Sequence, residues 1–245
     1  MRITAFATLV SSIGTCCATV ILLFTLIEMG NQRKSAYMPN LVLGRSNFYI
    51  YANKSTGTVD IWSPIKLTES DLKAVKRLGG IPVNLYNIGM GAAKAISFSW
   101  KFDVDRYINV IMELDTEKKY MIKFDENRFL QVSQQGIKTY FPMRDLEDSI
   151  DYILPTHVEK EPYKLMLPSS YQLLTSIVYT LSCKKGAEFT STSSLDLNLI
   201  LNYLDIGNNK HKKEFLIQPH LTAIYTEENR VLTEVSGVIL SKEAK

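Results

Sequence analysis

The residues of this chain that could do chemistry are three histidines, three cysteines, one Gly-x-Gly turn and some scattered carboxylates. Gly89-Met90-Gly91 invites comparison with a dinucleotide-binding fingerprint. That fingerprint needs a third small residue at position 94, a helix beginning there and an acid ~20 residues further on. Position 94 is Lys and a strand-like alternation follows, so no helix N-terminus is offered to a pyrophosphate. Gly89 and Gly91 read instead as structural turn residues that permit positive φ, with small Ala92 and Ala93 allowing close packing. His157, His211 and His220 form no i,i+3 or i,i+4 pair, which leaves no recognisable metal-ligand spacing. Cys183 stands beside Lys184 and Lys185. Neighbouring cations lower a thiol pKa, but a solvated lysine pair next to an ordinary thiol is the simpler reading. No G-x-S-x-G occurs. Asp103 with Asp105, and Asp145 with Glu147 and Asp148, read as turn and surface residues. The expectation is a non-catalytic protein with no catalytic residues, no cofactor and no metal.

One basic segment remains, Asn208-Asn209-Lys210-His211-Lys212-Lys213. It could meet anionic headgroups or nucleic acid. A solvated hairpin tip accounts for three lysines more simply, and direct nucleic-acid binding is not expected.

The elements that must position these residues begin with a strong asymmetry. From Ile3 to Ile27 there are 25 residues without a charge. As a helix they extend ~37 Å, against a hydrocarbon core of ~30 Å. A cleaved signal peptide has a shorter apolar core, and the small-residue site near Ser35-Ala36 has Lys34 in the wrong place. A lipidated Cys16 after Ile13-Gly14-Thr15 fits poorly, because Thr15 is unsuitable and the apolar run continues past it. The reading is a retained single-pass anchor over residues 1–30, a polar connector over 31–38 and a β-rich soluble domain over 39–245. Arg33 and Lys34 outweigh Glu28 on the far flank, and the amino-terminal flank offers Arg2. This favours a cytoplasmic body on a cell inner membrane. Three cysteines without obvious pairing also suit a reducing compartment. Ala7, Ser11, Gly14 and Ala18 recur at helical spacing, a stripe of small residues that lets helices approach in lipid.

Beyond residue 38 the pattern turns to short strands. Leu41–Leu43, Asn47–Tyr51 and Thr58–Trp62 carry aromatic and β-branched residues. Thr68 to Gly79 has the capping and apolar spacing of a helix. Ile81–Ile88 reads as a strand, and Ile96, Phe98, Trp100 and Phe102 alternate with period two. Further strands are expected at Tyr120–Phe124, Phe129–Val132 and Ile137–Phe141. Asp145–Ile153 is ambiguous, and a helix is expected over Ser169–Ser182, capped by Ser169 or Ser170. Leu195–Asp205 and Lys213–Pro219 flank a turn at 206–210, the clearest hairpin. The fold class is mainly β with minor α: a transmembrane helix followed by a sandwich with helical insertions. The 46% hydrophobic, 22% charged composition is that of a globular chain, and a net charge of +3 implies no particular partner.

At Asn87-Ile88-Gly89-Met90-Gly91-Ala92-Ala93, and again at Tyr203-Leu204-Asp205-Ile206-Gly207, the chain resembles a loose group of uncharacterised bacterial membrane-anchored proteins. In that group a strand ends in an N-I/V-G-x-G-P/A-A turn, and a Y-x-D-I hairpin follows later. This chain has Ala92 where Pro is usual and Asn208 where the hairpin has Gly. The resemblance implies an immunoglobulin-like β-sandwich behind a membrane helix, and no activity. The expected function is that of a membrane-anchored binding protein, with the bilayer and a protein partner or second copy as its contacts. The alternative is an oligomerising membrane effector, for example of an antiviral defence system, whose clustered helices perturb the bilayer.

Overall fold

The computed structural model describes residues 2–53, 59–68, 80–124, 129–134, 137–142, 146–185, 196–225 and 232–243. The expected helix at 68–79 lies almost wholly outside them. The chain opens with α1 (Arg2–Ala36), a single helix of 35 residues. Its Gly14–Arg33 stretch is long and apolar enough to cross a membrane, and none of that stretch is buried by the rest of the molecule. Ile21 and Phe24 remain 65% and 66% exposed. The hydroxyls of Thr19 and Thr25 donate to the carbonyls of Thr15 and Ile21, each at 2.9 Å. That back-bonding satisfies two polar groups within an apolar surface. Gly14 and Ala18 lie on the uncovered helix, while the side chains of Ala7 and Ser11 lie outside the described set.

The helix continues through 31–36, so most of the expected polar connector is helical. Gln32 donates to Glu28 at 3.2 Å, an i,i+4 contact that supports this extension. Pro39 prevents further helix and biases Met38 away from helical backbone.

The body is mainly β. Its largest sheet, of seven strands, has the order β3 (Val59–Ser63), β2 (Ser46–Asn53), β13 (Leu232–Glu243), β12 (Lys210–Tyr225), β11 (Leu197–Leu204), β5 (Ala93–Lys101), β9 (Glu147–Ile153). It is a curled half-barrel. Seven strands therefore share one sheet, whereas an immunoglobulin constant-type domain divides seven between two. A second sheet has the order β1 (Leu41–Leu43), β4 (Pro82–Asn87), β10 (Tyr163–Met166). A third is the meander β6 (Tyr120–Phe124), β7 (Phe129–Gln134), β8 (Ile137–Pro142). Among the described residues all strand pairings are antiparallel.

Period-two alternation places the core. Ile96, Phe98 and Trp100 of β5, and Leu197, Leu199 and Leu201 of β11, are buried. They join Val83 and Leu85 of β4 in one cluster. Two helices close it, α2 (Val104–Leu114) and α3 (Ser169–Lys185). The sequence reading missed α2 because it took Asp103 for a turn residue. Asp103 is instead the N-cap, its carboxylate accepting from the Arg106 N–H at 3.0 Å. Tyr107 of α2 meets Tyr171 of α3 edge to face at 6.0 Å, and both meet Phe102 in the same way. Burial holds the Tyr107, Tyr171 and Tyr179 hydroxyls above their ordinary pKa. They serve as protonated packing groups. Ser169 is the first residue of α3, and the Pro168 carbonyl accepts from the Gln172 N–H at 3.0 Å.

A bulge in β5 carries local strain. Ala95 has φ 47, and the β11 register slips between Asn202 and Leu204 opposite it. A left-handed residue at a bulge is usually Gly, and an alanine there costs ~1–2 kcal/mol. Part of the relief from Gly is offset by unfolded-state entropy. Ala95→Gly is therefore expected to stabilise the chain by ~0.5–1 kcal/mol, read as a rise of about 1–4 °C in thermal midpoint. A fall would show that the strain is not at this residue.

Candidate functional site

Where α1 leaves for the body, three separate stretches of sequence meet. The first is the end of β4. Asn87 is 1% exposed, yet its amide is fully used. Oδ1 accepts from the N–H of Asn40 at 3.0 Å and of Gly89 at 3.1 Å. Nδ2 donates to the carbonyl of Gly91 at 2.7 Å and of Ile153 at 3.1 Å. A side-chain amide has two donors and an acceptor oxygen with two lone pairs, and here each has a partner. The surrounding backbone repeats the linkage. The Ile88 N–H donates to the Asn40 carbonyl at 2.9 Å, and the Thr156 N–H to the Asn87 carbonyl at 2.8 Å. Leu41 is the strand partner of Asn87. Asn87 thus ties the chain leaving α1 to the β4 turn and to the end of β9.

The second stretch is the turn itself. A β-carbon on Gly89 would overlap the Met38 carbonyl oxygen and lie 2.5 Å from the Asn40 nitrogen. One on Gly91 would overlap the Tyr37 carbonyl oxygen. Neither glycine has left-handed φ, which corrects the expectation of positive φ. Both are needed because the Tyr37–Asn40 backbone lies directly against them. Ala92 carries the chain from this turn into β5.

The third stretch is the β11–β12 hairpin. Asp205, 6% exposed, accepts from the Asn209 N–H and Nδ2, both at 2.9 Å. Its Oδ2 lies 3.0 Å from Nε2 of His211. His211 stacks on Tyr203 at 5.3 Å and 20°. Asn208 takes φ 64. Asparagine tolerates that region better than most residues. The His211 hydrogen bond and then those from Asn209 hold the Asp205 carboxyl well below the usual carboxylate range. A depressed pKa contributes stability that is complete above the unfolded-state value of ~4 and is lost as pH falls toward the folded-state value. The chain is expected to lose stability below about pH 4 with a slope that Asp205→Asn reduces. Acid titration of the unfolding midpoint checks this; equal slopes would show that the carboxylate does not stabilise the hairpin.

Lys213 joins the hairpin to the helix exit. Its Nζ donates to Asn40 Oδ1 at 2.8 Å and to Glu243 Oε2 at 3.2 Å. Asn40 is therefore held by the β4 turn through its backbone and by the hairpin through its side chain. A groove of about 420 Å³ runs between Met38–Asn40 on one side and Tyr203, His211 and Lys213 on the other. Residues 37–40 thus border both motif segments of the sequence, Gly89 and Gly91 by close approach and Tyr203 across the groove.

Of the remaining sequence-named residues, His157 is exposed beside Thr156, next to the β4 turn, His220 is exposed on β12, and the side chains of Cys183 and Trp62 lie outside the described set. Cys16 and Cys17 are exposed on α1. Among the described residues no three or more of His, Cys, Asp and Glu are grouped as metal ligands. Sequence reasoning missed Asn40 and saw Asn87 only as the first letter of a turn. An asparagine ending a strand just before Ile-Gly-x-Gly was the available signal. Comparison with protein-family models, curated proteins and solved structures finds no match.

Proposed function

We propose that this chain is a membrane-anchored, non-catalytic binding protein. On this reading it presents its β body to a protein partner or a second copy, at the cytoplasmic face of a bacterial inner membrane. One observation supports the reading above the others: the helix exit is stitched into the body by the hydrogen bonds of Asn40 and Asn87 and the close contact with Gly89 and Gly91. A flexible linker would let the body tumble. A stitched exit fixes its pose relative to the anchor, which raises the effective concentration of a binding face for partners in the same membrane. The kinship with membrane-anchored immunoglobulin-like proteins is part of the same proposal. It rests on the two motif segments.

The test is expression of the full chain in bacteria with photo-crosslinking from the body. A partner or self crosslink in the membrane fraction, with normal growth, is expected. Membrane depolarisation that needs an intact 3–27 helix would favour the effector reading instead, which the uncovered face of α1 supports. In that case Ser11→Leu with Gly14→Leu should lower the detergent-solubilised mass.

A further inference from the structure

We propose that the end of the body surrounding the helix exit lies on the anionic surface of the bilayer. The tips of the β4–β5 turn and the β11–β12 hairpin would sit among lipid headgroups. This rests on the reading of α1 as a membrane anchor.

Ile88 and Met90 alternate with the two glycines that touch the helix exit, and they are 55% and 58% exposed. Ile206, at the hairpin tip, is 55% exposed, and Tyr37 and Met38, at the exit, are 53% and 42%. Five large apolar side chains thus point outward around the point where a bare apolar helix leaves the body. Each had a cheaper polar alternative at a water-facing turn. Met, Ile and Tyr at such a position suit the interfacial zone, where an apolar or amphipathic side chain is half solvated.

The charges agree. Residues 206–213 hold three lysines, one histidine and no carboxylate. Two of these lysines are offset, Lys212 by Glu214 and Lys213 by Glu243, and Asp205 is met by His211 and Asn209, so among the described residues the tip keeps the charge of Lys210. Arg33, in the last turns of α1, and Lys94, paired in register with Leu204, add positive charge to the same end. Basic residues near an anionic leaflet each contribute ~1 kcal/mol of attraction within a Debye length.

From Glu28 to Ala36 the helix adds ~14 Å beyond the uncharged run, so an upright helix would hold the exit off the hydrocarbon and this surface reaches the headgroups through tilt. The ~37 Å uncharged run exceeds a ~30 Å core, a mismatch relieved by tilt. Tilt lowers one side of the body toward the headgroups. The side with apolar tips and lysines is the one whose approach is favourable.

The test uses the full chain in nanodiscs of phosphatidylcholine alone or mixed with phosphatidylglycerol, followed by backbone hydrogen exchange. Anionic lipid is expected to slow exchange at 206–212 and 88–91 by roughly tenfold. Lys210→Glu with Lys212→Glu should return the rates to those in neutral lipid while the core strands stay protected. Ile206→Ser with Met90→Ser should weaken protection in both lipids. Exchange that is identical in the two lipids, or protection that grows with chains per disc irrespective of lipid charge, would overturn the proposal; the second outcome assigns the surface to another copy. A chain that elutes free of lipid would instead refute the anchor reading.

Discussion

Asn87→Ala is expected to lower the thermal midpoint of the full chain by roughly 10 °C. The argument rests on who is left without a partner. The amide serves two backbone N–H groups and two backbone carbonyls. It does so at 1% exposure, where water cannot replace it without opening the turn. A typical hydrogen bond contributes ~1 kcal/mol net, and a buried group left unpaired costs ~1–3 kcal/mol. Some of the four groups will relax toward solvent, so the sum comes to about 3–5 kcal/mol. At ~2–4 °C per kcal/mol for a body of this size, the shift is about 6–20 °C, centred near 10 °C. Asn87→Asp should do no better, since a carboxylate cannot donate and would face the Gly91 and Ile153 carbonyls. A loss below ~1 kcal/mol by denaturant titration in detergent would show that the helix exit is not held at Asn87.

The second large effect concerns the anchor. Cys16→Arg together with Val20→Arg should move the chain from the carbonate-resistant membrane fraction to the soluble or aggregated fraction. Position 16 lies near the middle of the uncharged run, and α1 carries both residues with no cover from the body. Insertion scales charge ~2.5–3.5 kcal/mol for each arginine near the helix centre. Two would shift the insertion equilibrium by about 5–7 kcal/mol, or roughly four to five orders of magnitude. Cys16→Ser with Val20→Thr is the matched control, placing uncharged side chains of nearly unchanged size at the same two positions. If the double-arginine chain remained embedded, α1 would not be the element holding the protein to the membrane.

These two variants probe the same joint from opposite sides. One removes the clamp while leaving the anchor, and the other removes the anchor while leaving the clamp. A protein that works by presenting its body in a fixed pose should lose its membrane-fraction crosslinks in both. A protein whose activity lies in the helix alone should tolerate the first.

The β character was legible because it is local. Ile96, Phe98 and Trp100 alternate, and alternation on a half-buried sheet admits few other backbones. The same holds for Leu197, Leu199 and Leu201 and for the hairpin turn after Asp205. The helix in α1 was legible because 25 residues without a charge have few other uses. The short helix α2 was in principle readable, with Asp103 as cap and Val104, Tyr107, Ile111 and Leu114 on one face. It went unread because its own start, Asp103-Val104-Asp105, also reads as a turn. The strands β10 and β13 went unread for a different reason: each finds its place by pairing with distant chain, β10 with β4 and β13 with β2 and β12.

The amino-acid sequence by itself determined that this protein has an apolar rod, a β-rich body and a tight glycine turn, because periodicity, charge absence and backbone freedom act over a few neighbouring residues. Only the tertiary structure decided what the turn is for. Gly89 and Gly91 are required by the backbone of Tyr37–Asn40, some 50 residues earlier. Asn40 meets Lys213 across a separation of 173 residues. Close approach, amide satisfaction and the gathering of apolar tips around the helix exit depend on three-dimensional distance, which neither spacing nor composition encodes.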